Sequence, residues 1–222
     1  MATEKQVTKL LESTWLEPGE TLYSVFGGEG VRGHIGGTLA GELVVPWPAA
    51  DDAPAITAEA ELEPLTEVVR DGRFVGDEWV HDPGLRAWVR ADRDDQLAAR
   101  CAGYLAAAGA EGWYVTTDRR IAVMVQAGAA PQAQPAEPPS STGDSEQSSG
   151  IGGLLGRARS AVSDVAGSLV RRTGPVVLWE HRSEKTAASF RPMGRAVPKL
   201  RISRTEFEDG SLIEGRTGRD WP

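Results

Sequence analysis

At 222 residues, 40% of them hydrophobic, the chain can bury one sizeable core or two small ones. A lone cysteine, Cys101, excludes an intrachain disulfide, and no run of about 18 apolar residues offers a membrane-spanning helix, nor does Met1–Leu10 carry a signal-peptide core, so a reducing, cytoplasmic setting is expected. The net charge of −8 is unevenly spread: residues 1–149 hold 11 Lys and Arg against 24 Asp and Glu (−13), whereas 150–222 hold 13 against 8 (+5).

Residues 2–14 place Val7, Leu10, Leu11 and Trp15 at helical spacing, with Pro18-Gly19 as a stop. Thr21–Phe26 then alternates as a first strand. Seven glycines between 27 and 41 follow, and Gly28-Glu29-Gly30-Val31-Arg32-Gly33 matches the G-x-G-x-x-G spacing of dinucleotide loops. A helix should open at the third glycine, yet Gly36, Gly37 and Gly41 each cost about 1 kcal/mol in helix propensity, so a flexible glycine loop is expected instead. Glu42–Val45 reads as a strand and 49–63 as an acid-rich loop. From Pro83 to Gly109 the pattern is helical: Leu85, Trp88 and Val89 form one patch, and Leu97, Cys101, Tyr104, Leu105 and Ala108 a stripe, with Asp92 or Asp94 as N-cap and Gly109 as C-cap.

Trp113–Val125 is the most informative stretch. Two runs rich in aromatic and β-branched residues meet at Thr117, Asp118, Arg119 and Arg120, a hairpin corner. Residues 127–150, with Pro131, Pro135, Pro138 and Pro139 among Ala, Gln, Ser and Glu, cannot bury enough apolar surface to offset the entropy of ordering and read as a disordered linker. Residues 151–172 read as an amphipathic helix, its apolar side including Leu154, Leu155, Val162, Val165 and Leu169 and its polar edge Arg157, Arg159, Arg171 and Arg172. Between 150 and 205 eleven Lys and Arg face three acids (+8), so this helix either packs on its own domain or a partner, or adsorbs to an anionic membrane surface. Nucleic acid fits poorly, because no aromatic residues interleave the helix's arginines. Strands resume at Val176–Arg182. Leu200–Phe207 alternates, turns at Asp209-Gly210 with the composition of a type I′ turn, and returns through Ser211–Glu214.

Three patches, in chain order, resemble bacterial pleckstrin-homology-like domains: the Pro18-Gly19-Glu20 turn before strand one, the Thr117-Asp118-Arg119-Arg120 corner, and the Asp209-Gly210-Ser211 hairpin. The resemblance implies a mainly β (α+β) fold, a barrel of two packed antiparallel sheets. It divides the chain into a first barrel part with an N-terminal helix (1–126) carrying a helical insert at about 83–109, the linker (127–150), the amphipathic helix (151–172) and the remaining strands (173–222). It departs at the end, where Gly215–Pro222 is too short and glycine-rich for the family's closing helix, so another element must cap the barrel.

Catalytic motifs are absent from the pattern. His34, His81 and His181 have no metal-ligand spacing, Gly143-Asp144-Ser145 lies in the linker where nothing can be preorganised, and Cys101 sits on an apolar helical stripe. The expectation is a non-enzymatic docking module without cofactor or metal, meeting a protein partner or a second copy of itself, with peripheral membrane contact through 151–172. The competing reading is a small-molecule-binding protein or enzyme whose pocket forms between the helical insert, with Trp79, Trp88 and Tyr104, and the barrel.

Overall fold

The computed structural model describes residues 3–27, 32–56, 61–127, 174–182 and 187–220. Most of the segment expected as linker (127–150) and all of the helix expected over 151–172 lie outside these residues. The described strands are β1 (Leu22–Gly27), β2 (His34–Leu39), β3 (Glu42–Val44), β4 (Leu85–Ala91), β5 (Trp113–Thr117), β6 (Arg120–Gln126), β7 (Pro175–Arg182), β8 (Ala187–Met193), β9 (Leu200–Glu206) and β10 (Leu212–Asp220), and the helices are α1 (Glu4–Thr14), α2 (Glu67–Arg70) and α3 (Leu97–Ala107). No described helix is long and apolar enough to cross a membrane.

The chain is mainly β, in two sheets ordered β1-β5-β6-β7 and β3-β2-β4-β10-β9-β8. All pairings are antiparallel except β2 with β4. Among the described residues no ladder joins the sheets, so the two layers face each other without closing into the expected barrel.

The four-stranded sheet is covered on both sides, which is why β5 and β6 read as near-continuous apolar runs. On its outer side α1, opened by a Thr3–Gln6 capping box, lays Val7 and Leu11 over Val25, Trp113, Val115, Ala122 and Met124. Its inner side, with Phe26, Tyr114, Ile121, Val123, Val125 and Trp179, meets Ile35, Ala87, Val89, Ala91 and Ile213 of the six-stranded sheet. α3 packs against β2, β4 and β10 of one sheet and β6 and β7 of the other, burying Ala98, Cys101, Ala102 and Leu105 completely. Among the described residues α3 thus spans the two layers. The outer side of the six-stranded sheet is covered by Leu65, Val69, Phe74, Trp79 and Val80, packed on Leu85, Trp88, Met193 and Ile202.

Three expectations are corrected. First, 83–109 is not helical throughout: Leu85–Ala91 is an inner strand of the six-stranded sheet and the α-helix covers only Leu97–Ala107, with Ala108 rather than Gly109 as its C-cap and Gly109, at φ +55°, just beyond. Leu85, Trp88 and Val89 match the i, i+3, i+4 template by accident, because a strand buried on both faces is apolar without alternation. Second, part of the glycine stretch is the strand β2. A Cβ on Gly37 would collide with the Val89 carbonyl and one on Gly36 would sit 2.9 Å from the Trp88 ring, so these glycines let β2 lie close to β4. Third, the β9–β10 turn is not type I′. Gly210 N–H donates to the Phe207 carbonyl (3.0 Å) and Phe207 N–H to the Ser211 carbonyl (2.9 Å), while Gly210 alone has positive φ (+82°), the three-residue loop with a glycine bulge. β10 also runs on to Asp220, beyond the Glu214 at which the return strand was expected to end.

Candidate ligand cleft

Two of the three sequence patches meet in one buried knot. The Pro18-Gly19 turn presents Glu20, whose carboxylate accepts two hydrogen bonds from Arg120, Nε to Oε1 at 2.8 Å and Nη2 to Oε2 at 2.7 Å. The same guanidinium donates to the Trp15 carbonyl (2.8 Å) and to Glu180 (3.2 Å) and lies 3.8 Å over the Trp15 ring. Thr117 donates to Glu20 (2.6 Å) and accepts the amides of Arg119 and Arg120, and Asp118 accepts the Thr21 amide at 2.9 Å. Burial raises the Glu20 pKa, but the bonds from Arg120, the Glu17 amide and Thr117 outweigh it and hold the carboxyl at about 2. Every charged group here has found a partner within the chain. The knot fastens α1, strand β1 and the β5–β6 corner to β7, and offers nothing to a ligand.

The third patch is also structural. Asp209 Oδ2 accepts the Leu97 amide (2.6 Å) and Ser211 Oγ the Ala98 amide (3.0 Å), so the β9–β10 turn caps the N-terminus of α3 across the fold. Gln96, not Asp92 or Asp94, is the N-cap residue; its side chain accepts the Asp92 and Arg93 amides and donates to the Asp209 carbonyl. The bonds from Leu97 and Ser211 lower the Asp209 pKa, against burial, which raises it.

The remaining candidates do not assemble. His34 opens β2, His81 Nε2 accepts the Arg195 amide at 3.0 Å, and His181 pairs with Glu208 at 3.2 Å. Among the described residues no three His, Cys, Asp or Glu side chains are grouped to hold a metal ion. Cys101 is fully buried and burial raises its thiol pKa, which leaves it inert. Leu154, Leu155, Arg157, Arg159, Val162, Val165, Leu169, Arg171 and Arg172 lie outside the described residues. The pocket proposed around Trp79, Trp88 and Tyr104 does not form with those three. Trp79 and Trp88 stack at 5.7 Å on the outer side of the six-stranded sheet, whereas Tyr104 belongs to the core between the layers.

Tyr104 instead lines a cleft of about 310 Å³ between α3 and the segment 47–52. The cleft is built by a short-range logic. Trp47, fixed between Pro46 and Pro48, donates its amide to the Ile35 carbonyl at 2.7 Å, and the Ala50 amide donates to the Gly103 carbonyl at 3.0 Å. A side chain at Gly103 would press on Ala50 at 3.1 Å, so glycine lets this segment lie flat along the helix. Leu39, Val44, Trp47 and Ala99 supply apolar wall, while Asp51, Asp52, Asp94 and Arg100 are exposed at the rim. The Tyr104 hydroxyl donates to Asp52 at 2.7 Å, and that bond, with burial, raises the phenol pKa and keeps the proton in place. Asp51 and Asp94 form no ion pair among the described residues.

The helical stripe carrying Tyr104 was legible in sequence; the opposite wall was not. Its signal is Pro46-Trp47-Pro48 just ahead of Asp51-Asp52, an aromatic fixed by prolines and followed by two acids. Comparison with family models, curated proteins and solved structures finds no match to this chain, so its functional reading rests on the geometry of this site.

Proposed function

We propose that the chain is a non-enzymatic binding module on a pleckstrin-homology-like scaffold, with its ligand site in the cleft between α3 and residues 47–52. Support for the scaffold comes from the topology once the insert is set aside. Without β2–β4 and α3, the remaining strands follow in chain order as two antiparallel meanders, β1-β5-β6-β7 and β8-β9-β10; two family-like patches lie at the β5–β6 and β9–β10 corners, and the third leads into β1.

The observation that carries the binding reading is the cleft itself: a concave site with apolar walls and a few polar groups at its rim, at the low end of the roughly 300–1,000 Å³ usual for small-molecule sites. Among the described residues no His, Cys, Ser, Thr or Lys lines it, which favours binding over nucleophilic or imidazole-based chemistry there. The test is a fragment screen by NMR on the isotope-labelled chain, read at the Trp47 indole and the Gly103 and Tyr104 amides. Shifts clustered at these positions are the expected result. Shifts confined to the outer side of the six-stranded sheet, or to no site at all, would overturn the assignment.

A further inference from the structure

We propose that the cleft selects small organic cations: an ammonium group, primary or quaternary, carried on an apolar body about the size of one ring. The inference rests on the binding reading above and adds the chemistry of what is bound.

The volume sets the size. At about 310 Å³ the cleft takes a compact ligand, not a helix or an extended peptide. The walls ask for an apolar body, because Leu39, Val44, Trp47 and Ala99 gain only from a partner that leaves water with them. The rim sets the sign. Among the described residues that line the cleft, Asp51, Asp52 and Asp94 stand against one cation, Arg100, an excess of two negative charges. An anion entering here meets net repulsion, a neutral ligand gains nothing from the rim, and a cation gains from it. Trp47 and Tyr104 add aromatic surface, the best side-chain surface for an ammonium group.

The spread of the carboxylates decides which kind of cation. They do not converge into a set of three that could hold a metal ion, so a compact, strongly hydrated ion would have to give up its water for one carboxylate at a time. An ammonium carried on an apolar body needs no such convergence: its body leaves water with the walls while carboxylates spread around the rim attract its single charge. Asp52 is already aligned by the Tyr104 hydroxyl, which takes one of its oxygens and leaves the other for the ligand.

The experiment titrates the intact chain with four matched probes: phenethylammonium, benzyltrimethylammonium, neutral phenethyl alcohol and anionic 3-phenylpropionate, followed by NMR shifts at Trp47, Gly103 and Tyr104. Both cations should bind at least tenfold more tightly than the alcohol, and 3-phenylpropionate should shift nothing. The double substitution Asp51→Asn with Asp94→Asn should remove most of the cation preference while leaving the affinity for phenethyl alcohol within about twofold. Raising the salt should weaken the cations alone, since exposed charges are screened. Equal affinity for alcohol and ammonium, or tighter binding of the anion through Arg100, would overturn cation selection while leaving the cleft a ligand site. If none of the four probes shifts a cleft resonance, the binding reading fails and this inference fails with it.

Discussion

The knot around Arg120 and the rim around Tyr104 use the same residue types to opposite ends. In the knot, Glu20 has no exposed side chain, Arg120 is 5% exposed, and each bond of the guanidinium is answered by a carboxylate, a carbonyl or the Trp15 ring. At the cleft, Asp51 and Asp94 stand exposed beside apolar surface without an ion pair among the described residues. Charge that is buried and answered inside the chain holds the fold; charge left at the mouth of an apolar cavity is available to something else. Buried pairing also explains what these two family-like patches do for the fold: Pro18-Gly19-Glu20 and Thr117–Arg120 are two halves of one fastening.

The contrast breaks most visibly at Arg120. Arg120→Ala strands the Glu20 carboxylate in the interior and should cost about 3–5 kcal/mol by chemical denaturation. A loss below about 1 kcal/mol would mean that the knot is an ordinary surface salt bridge.

Acid should attack the same place. Glu20 falls from an ordinary value of 4.5 to about 2 in the fold, so it stabilises fully above its unfolded value and loses that contribution as pH drops through about 4.5 toward 2. Denaturation midpoints measured across this window should fall in the wild type, and the part of the fall due to Glu20 should vanish in Arg120→Ala. Parallel curves for the two proteins would show that the knot does not set the acid limit.

Asp209 is intermediate, a carboxylate answered by backbone amides. Asp209→Ala should cost about 1–2 kcal/mol through loss of the α3 cap, and Gly210→Val about 1–3 kcal/mol because a β-branched residue is strained at positive φ. Thermal melts that leave both variants unchanged would refute the turn-to-helix link. At the far end of the scale, Asp51→Asn and Asp94→Asn should each change stability by no more than about 0.5 kcal/mol, since neither has an ion-pair partner to lose among the described residues. A larger loss would place these aspartates with the knot and not with the cleft.

The hairpins were legible because they combine alternation with turn residues. Trp113–Val125 and Leu200–Glu214 show both in one short window, and the fold places them as β5–β6 and β9–β10. β4 was missed because it is buried on both faces, so Leu85, Ala87, Trp88, Val89 and Ala91 do not alternate cleanly with polar residues and three of them fall at helical spacing. β2 was missed because Gly36 and Gly37 answer to a neighbouring strand about 50 residues away, which no local pattern records. The cap on α3 failed for the same reason: Asp92 and Asp94 were near in sequence, whereas Asp209 is near in space. Of the cleft, the helix wall with Tyr104 could be read, but the pairing of that wall with Trp47 and Asp52 depends on bonds from Ala50 and Tyr104 between separate segments.

The strand pairing carries a consequence for folding. Residues 3–127 contribute β1–β6 and residues 174–220 contribute β7–β10, and each sheet takes strands from both portions. Gln126 lies opposite Pro175 at one end of the β6–β7 ladder, and β10 is seated against β4. Each portion completes sheets that the other begins, and the core between the layers draws residues from both. Both sheets are therefore completed only when β7–β10 join β1–β6, so the described core rests on pairings between residues far apart in sequence, the kind of contact that slows folding.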